Sequence, residues 1–477
     1  MRGESGDDIT GKDVFTIGGA SIMIKLTSKG TFFSAVVISL CWMMAPGEHC
    51  RAQGAGEVKP SPPVATSDSE PDLPPAPPAT SPAGSNQGGL SGRFKSRERN
   101  APTRASRVAI SLGTKYLNGI VGGFEQGAGF GFGLELTTAD KIRFVELRAT
   151  ALGSTRLYRR FEAEAYVPKI IDEKTHADVW FSYLRRTKDN CFGIGPNIPK
   201  TALTNFDLEQ RSYQGSLYRD FTRRLQAGLY VGVTNSSSYP GERDRDIPFD
   251  VLFSGDPNVV PLSRWAPGFQ RNTKILSYGL FAEYDWRNQS RGLTRGAYFY
   301  GRVGSNDGLQ INHVPPGFGW TEGEIDARGY IPVLSDKTSI ALRSYTELKD
   351  PKGGSQIPFY DLAALGGRSY LRGFRDFRFR GNNLQLFSGE LRRTVWTREE
   401  GRGLDVLAFG DLGQVWGDHR SRTDPSIIPN QDFASRNWKT GFGGGLQYRY
   451  SRGLAARVEV GASNERTLVY FSLSRGF

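Results

Sequence analysis

Cysteine, histidine and long apolar runs are scarce in this chain. Its 477 residues include 3 cysteines and 4 histidines. Cys41 and Cys50 lie in an N-terminal stretch expected to be removed, so only Cys191 remains and a disulfide framework is excluded. His176, His313 and His419 have no nucleophile or carboxylate at a recognisable spacing, so no enzyme activity and no cofactor are expected. Asp244, Asp246 and Asp250 share a loop-like stretch that lacks the glycine and terminal glutamate of a calcium-binding EF-hand, and no metal is expected there. Gly127 to Gly133 (GAGFGFG) lacks the strand, loop and helix context of a dinucleotide site. Alanine-leucine helical runs are also few. The one long apolar run, Thr31 to Met44, is too short for a comfortable membrane-spanning helix.

What is present points to strands. Glycine reaches 59 residues and aromatics 12%, a mix that suits many strands joined by turns. The net charge of +12 comes mostly from arginine scattered along the chain, not from one basic block, and no nucleic-acid partner is expected. A mean hydropathy of −0.43 ordinarily indicates a soluble protein. Transmembrane β-barrels escape that inference, because only every second residue faces lipid while the lumen stays polar.

Four segments follow from composition. Residues 1–22 read as an upstream extension outside the fold. Residues 23–52 read as a signal peptide: Met23 starts it, Lys25 and Lys29 give a basic opening, Thr31 to Met44 is the apolar stretch, and cleavage is expected after Ala52. Gly47, Glu48 and His49 before Cys50 do not form a lipobox. Residues 53–105 are Pro, Ser, Ala and Gly with hardly an aromatic, too poor in apolar surface to order themselves, and read as a tether.

Residues 106–477 alternate with period two. Ala227, Leu229, Val231 and Val233 share one face, as do Leu276, Tyr278, Leu280, Ala282, Tyr284 and Trp286, with Glu283 and Asp285 opposite. Charges at the inner positions of otherwise apolar strands would be costly in a soluble core and acceptable in a hydrated lumen. Roughly 23 residues per strand and connection gives about 16 strands, an even number as bacterial barrels have. The expected fold is therefore all-β, a transmembrane antiparallel barrel. The last strand places Val469, Phe471, Leu473 and Phe477 on one face, and the chain ends on an aromatic. That ending is similar to the signal by which outer-membrane barrels are recognised for insertion, although Arg475 stands where a hydrophobic residue is usual.

One stretch concentrates fixed charge beside aromatic surface. Gly366 to Gly381 (GGRSYLRGFRDFRFRG) holds five arginines, four glycines and three phenylalanines. Leu371, Arg372, Gly373 and Phe374 within it resemble the arginine-glycine-aromatic tip of the long sixth extracellular loop of the BamA/TamA family of surface-antigen barrels. Downstream, Phe387 to Arg392 resembles the following strand, whose glutamate faces the lumen. Phe409 to Trp416 resembles the next, with its inward aspartate. Thr440 to Arg449 and Leu454 to Ser463 resemble the last strand pairs.

The physics runs parallel to the resemblance. An arginine fork can engage two carboxylates at once, so Arg372 could pin a loop inside a lumen if acids point inward. Parity places Glu390 opposite Phe387 and Leu391, and Asp411 opposite Gly410 and Leu412. Gly373 allows a backbone approach that a side chain would block, and Phe374 could wedge against the wall. Arg368, Arg375, Arg378 and Arg380 are expected to line the lumen or meet solvent. The glycine-rich first strands around Gly113 to Gly133 suggest a weak seam.

The resemblance implies an outer-membrane barrel, closed by an inward-folded loop lid, that assists insertion, assembly or translocation of polypeptides or lipid-linked cargo. The alternative is a passive pore or structural surface protein with the same lid. Expected partners are outer-membrane lipid and either client polypeptides or a separate periplasmic protein. The barrel itself is expected to be monomeric. Between the leader and the barrel no POTRA domain is expected.

Overall fold

The computed structural model describes residues 14–17, 20–23, 107–111, 116–122, 128–138, 145–241, 247–255, 266–290, 293–309, 317–333, 335–398, 402–417, 432–451 and 454–474. Near the N-terminus, Val14–Ile17 and Ala20–Met23 pair as an antiparallel two-stranded sheet. Beyond Met23, the expected leader and the tether to residue 105 lie outside the described residues, as does Phe477.

Seventeen strands among the described residues form one antiparallel meander. The first six are β1 (Arg107–Ser111), β2 (Leu117–Gly122), β3 (Gly131–Thr137), β4 (Glu146–Ser154), β5 (Arg159–Val167) and β6 (Thr175–Cys191). Next come β7 (Thr204–Asp220), β8 (Leu225–Pro240), β9 (Thr273–Asp285), β10 (Leu293–Gly308), β11 (Gly319–Pro332) and β12 (Thr338–Pro351). The last five are β13 (Asn383–Thr397), β14 (Gly403–Trp416), β15 (Lys439–Ser451), β16 (Leu454–Ala462) and β17 (Thr467–Ser474). The order closes on itself as a barrel, with β17 adjoining β1. From β2 to β17 the count matches the expected sixteen, and β1 is one strand more.

Burial is inside out relative to a soluble protein. Phe132 and Leu134 on β3, Leu229 and Val231 on β8, Leu280 on β9, and Phe442 and Leu446 on β15 are exposed on the outer face. Inward positions of the strands carry charge: Arg148, Glu164, Glu324, Asp326, Asp405 and Arg449 are all buried. An apolar belt outside and ion pairs inside is the arrangement a bilayer selects, since lipid takes the apolar face and the lumen pays no cost for charge. Among the described residues no helix is long and apolar enough to cross a membrane.

Connections alternate in length. Short turns at 221–224, 286–292, 333–337 and 398–402 mark one end, and the connections 192–203, 241–272, 352–382 and 417–438 mark the other. Short periplasmic turns and long extracellular loops are the rule for outer-membrane barrels. At the long-loop end an apolar dome assembles from several connections. Phe249 packs 4.4 Å from Phe269 and 5.1 Å from Phe359 between ring centroids, and Phe206 of β7 packs 4.7 Å from Phe359. The connection 352–382 enters beneath this dome and folds into the barrel.

Candidate functional site: the latch of the lid

The lid carries its own small core. Ala363–Leu365 and Phe379–Gly381 pair as a two-stranded ribbon, and Leu365, Leu371, Phe374 and Phe379 pack against Leu384, Leu386 and Val415 of the wall. Leu371 and Phe374 are fully buried, and the Phe374 ring meets Phe379 at 5.4 Å in an edge-on arrangement. These residues fix the turn from which Arg372 projects.

Arg372 bridges three strands. Its Nε and Nη2 donate to the two carboxylate oxygens of Asp411 on β14, each at 2.7 Å, and its backbone N–H donates to the same carboxylate at 3.1 Å. Its Nη1 donates to Glu459 on β16 at 2.8 Å and to Glu390 on β13 at 3.4 Å. The guanidinium carbon also sits 3.4 Å from the centroid of the Phe409 ring, a stacked cation–π contact. Glu390 in turn accepts from Arg392 at 2.6 Å and from Arg457 Nη1 at 3.1 Å, and Glu459 accepts from Arg457 at 2.6 Å. Three arginines thus face three carboxylates, so the buried cluster is neutral as a whole and its charges are compensated. Burial pulls the Arg372 guanidinium pKa down, but the hydrogen bonds and charge of Asp411, with Glu459 and Glu390 behind it, outweigh this and hold it above the ordinary arginine value.

A floor without side chains makes room for the latch. The inner positions 441, 443 and 445 of β15 are all glycine, while Phe442 and Leu446 of the same strand face outward. A Cβ on Gly441 would overlap the carbonyl oxygen of Arg372. On the lid side, Gly373 has φ +93°, and a Cβ there would come 2.6 Å from the carbonyl of Ala462. The lid tip therefore lies backbone to backbone on β15 and β16, and glycine at these positions is a steric requirement.

The structure brings Arg372, Glu390 and Asp411 together. Glu459, Arg392 and Arg457 complete the cluster and were not anticipated as a set. Glu459 was within reach of the parity argument, since Val458 and Val460 on either side are exposed on the outer face. Arg378 and Arg380 are both buried inside the barrel, and Arg380 lines the lumen beside the lid. Arg378 forms a two-pronged pair with Glu465 at 2.8 Å and donates to the carbonyl of Ile198 at 2.6 Å. Arg380 points at the carbonyls of Phe359 and Asn190, each at 3.5 Å. They stitch the lid to the dome because the interior there offers main-chain acceptors. Of the C-terminal pattern, Val469 is exposed on the outer face and Phe471 is half-buried. The side chain of Leu473 and all of Phe477 lie outside the described residues.

Beside the lid the lumen keeps a cavity of about 450 Å³, walled by Tyr230, Tyr300, Arg302, Glu322 and Glu347 and roofed by Asp361 and Tyr370 of the lid connection. Burial pushes the Asp361 carboxyl up to about 6 against the charges of Lys349 and Arg186.

No curated protein matches the sequence. Among solved structures, BamA from Haemophilus ducreyi lacking POTRA domains 1–3 is similar, at 15% identity and a TM-score of 0.56, covering 81% of this chain and 78% of that one. CdiB from Escherichia coli has 15% identity and a TM-score of 0.49, covering 77% of this chain and 64% of that one. The model of the Omp85 superfamily domain matches residues 146–462, well over half the chain, and the chain belongs to the Omp85 superfamily.

Proposed function

We propose that this barrel assists the insertion, assembly or translocation of polypeptides, or of lipid-linked cargo, at the outer membrane, with the lid as its closing element. The observation that carries the reading is the latch: Arg372 holds the lid through acids on three separate wall strands, β13, β14 and β16. A plug needed only for rigidity could rest on apolar packing, which the lid already has. Ion pairs over a glycine floor add an attachment that exchange of partners can undo, as a gate requires. In this reading residues 23–52 direct export and are removed, residues 53–105 tether the N-terminus to the barrel, and the outward face of β17 serves insertion.

Depletion tests the reading. The outer-membrane and secreted proteomes are quantified after removal of the protein, with wild type or Arg372→Ala restored. A defined set of barrels or secreted proteins should fall and return only with the wild type. Unchanged proteomes with altered small-solute permeability would favour the passive pore.

A further inference from the structure

The last strand has a short neighbour on one side. Toward β16 it has a register of eight pairs, from Ala455↔Ser474 to Ala462↔Thr467. On its other side stands β1, which is only five residues long. Chain direction makes that junction weaker still. Seventeen strands are joined by sixteen antiparallel steps, and an even number of reversals leaves β1 and β17 running the same way. Their junction is therefore parallel, and parallel pairing is slightly the less stable per residue.

What β17 lacks at its edge it receives from inside. The Tyr470 hydroxyl of β17 accepts from the Gly373 N–H at 2.8 Å and donates to the Phe374 carbonyl at 3.3 Å, gripping the lid tip by its main chain. Arg368 of the lid donates to the Phe471 carbonyl at 3.4 Å. In the turn between β16 and β17, Ser463 donates to the Gly373 carbonyl at 2.7 Å, and Glu465 takes the fork of Arg378. Glu459 anchors Arg372 one strand back.

We infer that the seated lid is the inner support of the terminal hairpin, so that release of the lid and loosening of β17 are a single transition. Each contact that seats the lid on Tyr470, Ser463 or Glu465 is equally a contact that keeps β17 in the wall. Whatever frees one must therefore free the other, and by linkage the coupling is reciprocal. This coupling is a property of the wall and lid alone and stands whichever cargo the barrel handles.

Hydrogen exchange on the full-length protein in lipid vesicles tests it, read separately for the lid (366–381), for β17 (467–474) and for β7 and β8 as a reference. Arg372→Lys alters a side chain whose carboxylate partners stand on β13, β14 and β16. It should speed exchange in the lid and in β17 by a common factor, on the order of tenfold as for measured couplings between sites, and leave β7 and β8 unchanged. Gly441→Ala, which displaces the lid without altering a charge, should give the same pairing of effects and serves if the lysine variant folds poorly. In the reverse direction, a disulfide between Val460→Cys and Val469→Cys, opposed residues on β16 and β17, should slow exchange in the lid. A lid that exchanges faster over an unaltered β17 would overturn the inference, and so would a uniform rise across β7 and β8.

Discussion

The carbonyl oxygen of Arg372 occupies the place that a Cβ on Gly441 would need. Lid and wall are fitted to each other at the level of main-chain atoms, before any charge is considered. Gly441→Ala should therefore unseat the lid with the ion cluster chemically intact, at a cost of about 1–3 kcal/mol typical of overpacking. Protease sensitivity of the 352–382 connection in folded barrels is the measurement. Gly410→Ala, where a Cβ meets nothing within 4 Å, is the matched control and should leave it unchanged.

Arg372 and Asp411 should be strongly coupled. Removing Arg372 leaves three carboxylates facing two arginines in a buried site, and breaking such a pair costs about 3–5 kcal/mol. Arg372→Ala and Asp411→Asn should each destabilise the lid, while the double variant should cost much less than their sum. A double-mutant cycle on lid opening reads this directly, and additive effects would show that the two-pronged contact carries no energy of its own.

The Asp361 carboxyl gives the lid connection a pH dependence of known sign. Burial raises its pKa to about 6, above the ordinary aspartate value, with Lys349, Arg186 and Arg380 opposing the rise and Glu322 reinforcing it. Between about pH 4 and 6 the folded state binds more protons here than the unfolded state, so this group's contribution to stability falls as pH rises through that window. Thermal unfolding followed by folded and unfolded gel mobility should show that slope in the wild type. In Asp361→Asn the slope should be reduced.

The N-terminus of the mature protein should be Gln53. Peptide sequencing of the protein from outer membranes checks this, and a start upstream of residue 23 or an intact Met23 would exclude cleavage after Ala52.

Much of this was legible from the sequence because parity is a strict rule in a barrel. Leu280 and Glu283 fall on opposite faces by counting alone, and the wall places them so. Arg372, Glu390 and Asp411 could be paired in advance because each sits in a local pattern that fixes its direction. Glu459 obeyed the same rule but lacked a distinctive neighbourhood, so no pattern drew attention to it. Tyr470, Ser463 and Glu465 were beyond reach for another reason. Tyr470 and Ser463 meet main-chain groups of the lid and Glu465 meets the Arg378 side chain, all about 90 residues away, a separation at which only the closed barrel brings them together. The glycines of Thr440 to Leu446 were visible as a strand, but their role as a floor depends on which element lies across them. The dome of Phe206, Phe249 and Phe359 joins loops whose order in the chain says nothing of their contact.

Single-channel conductance in planar bilayers shows whether Arg372 holds a lid that closes the lumen. The wild type should stay closed with only brief openings, and Arg372→Ala should conduct for sustained periods. Steady conductance by the wild type, left unchanged by Arg372→Ala, would contradict it.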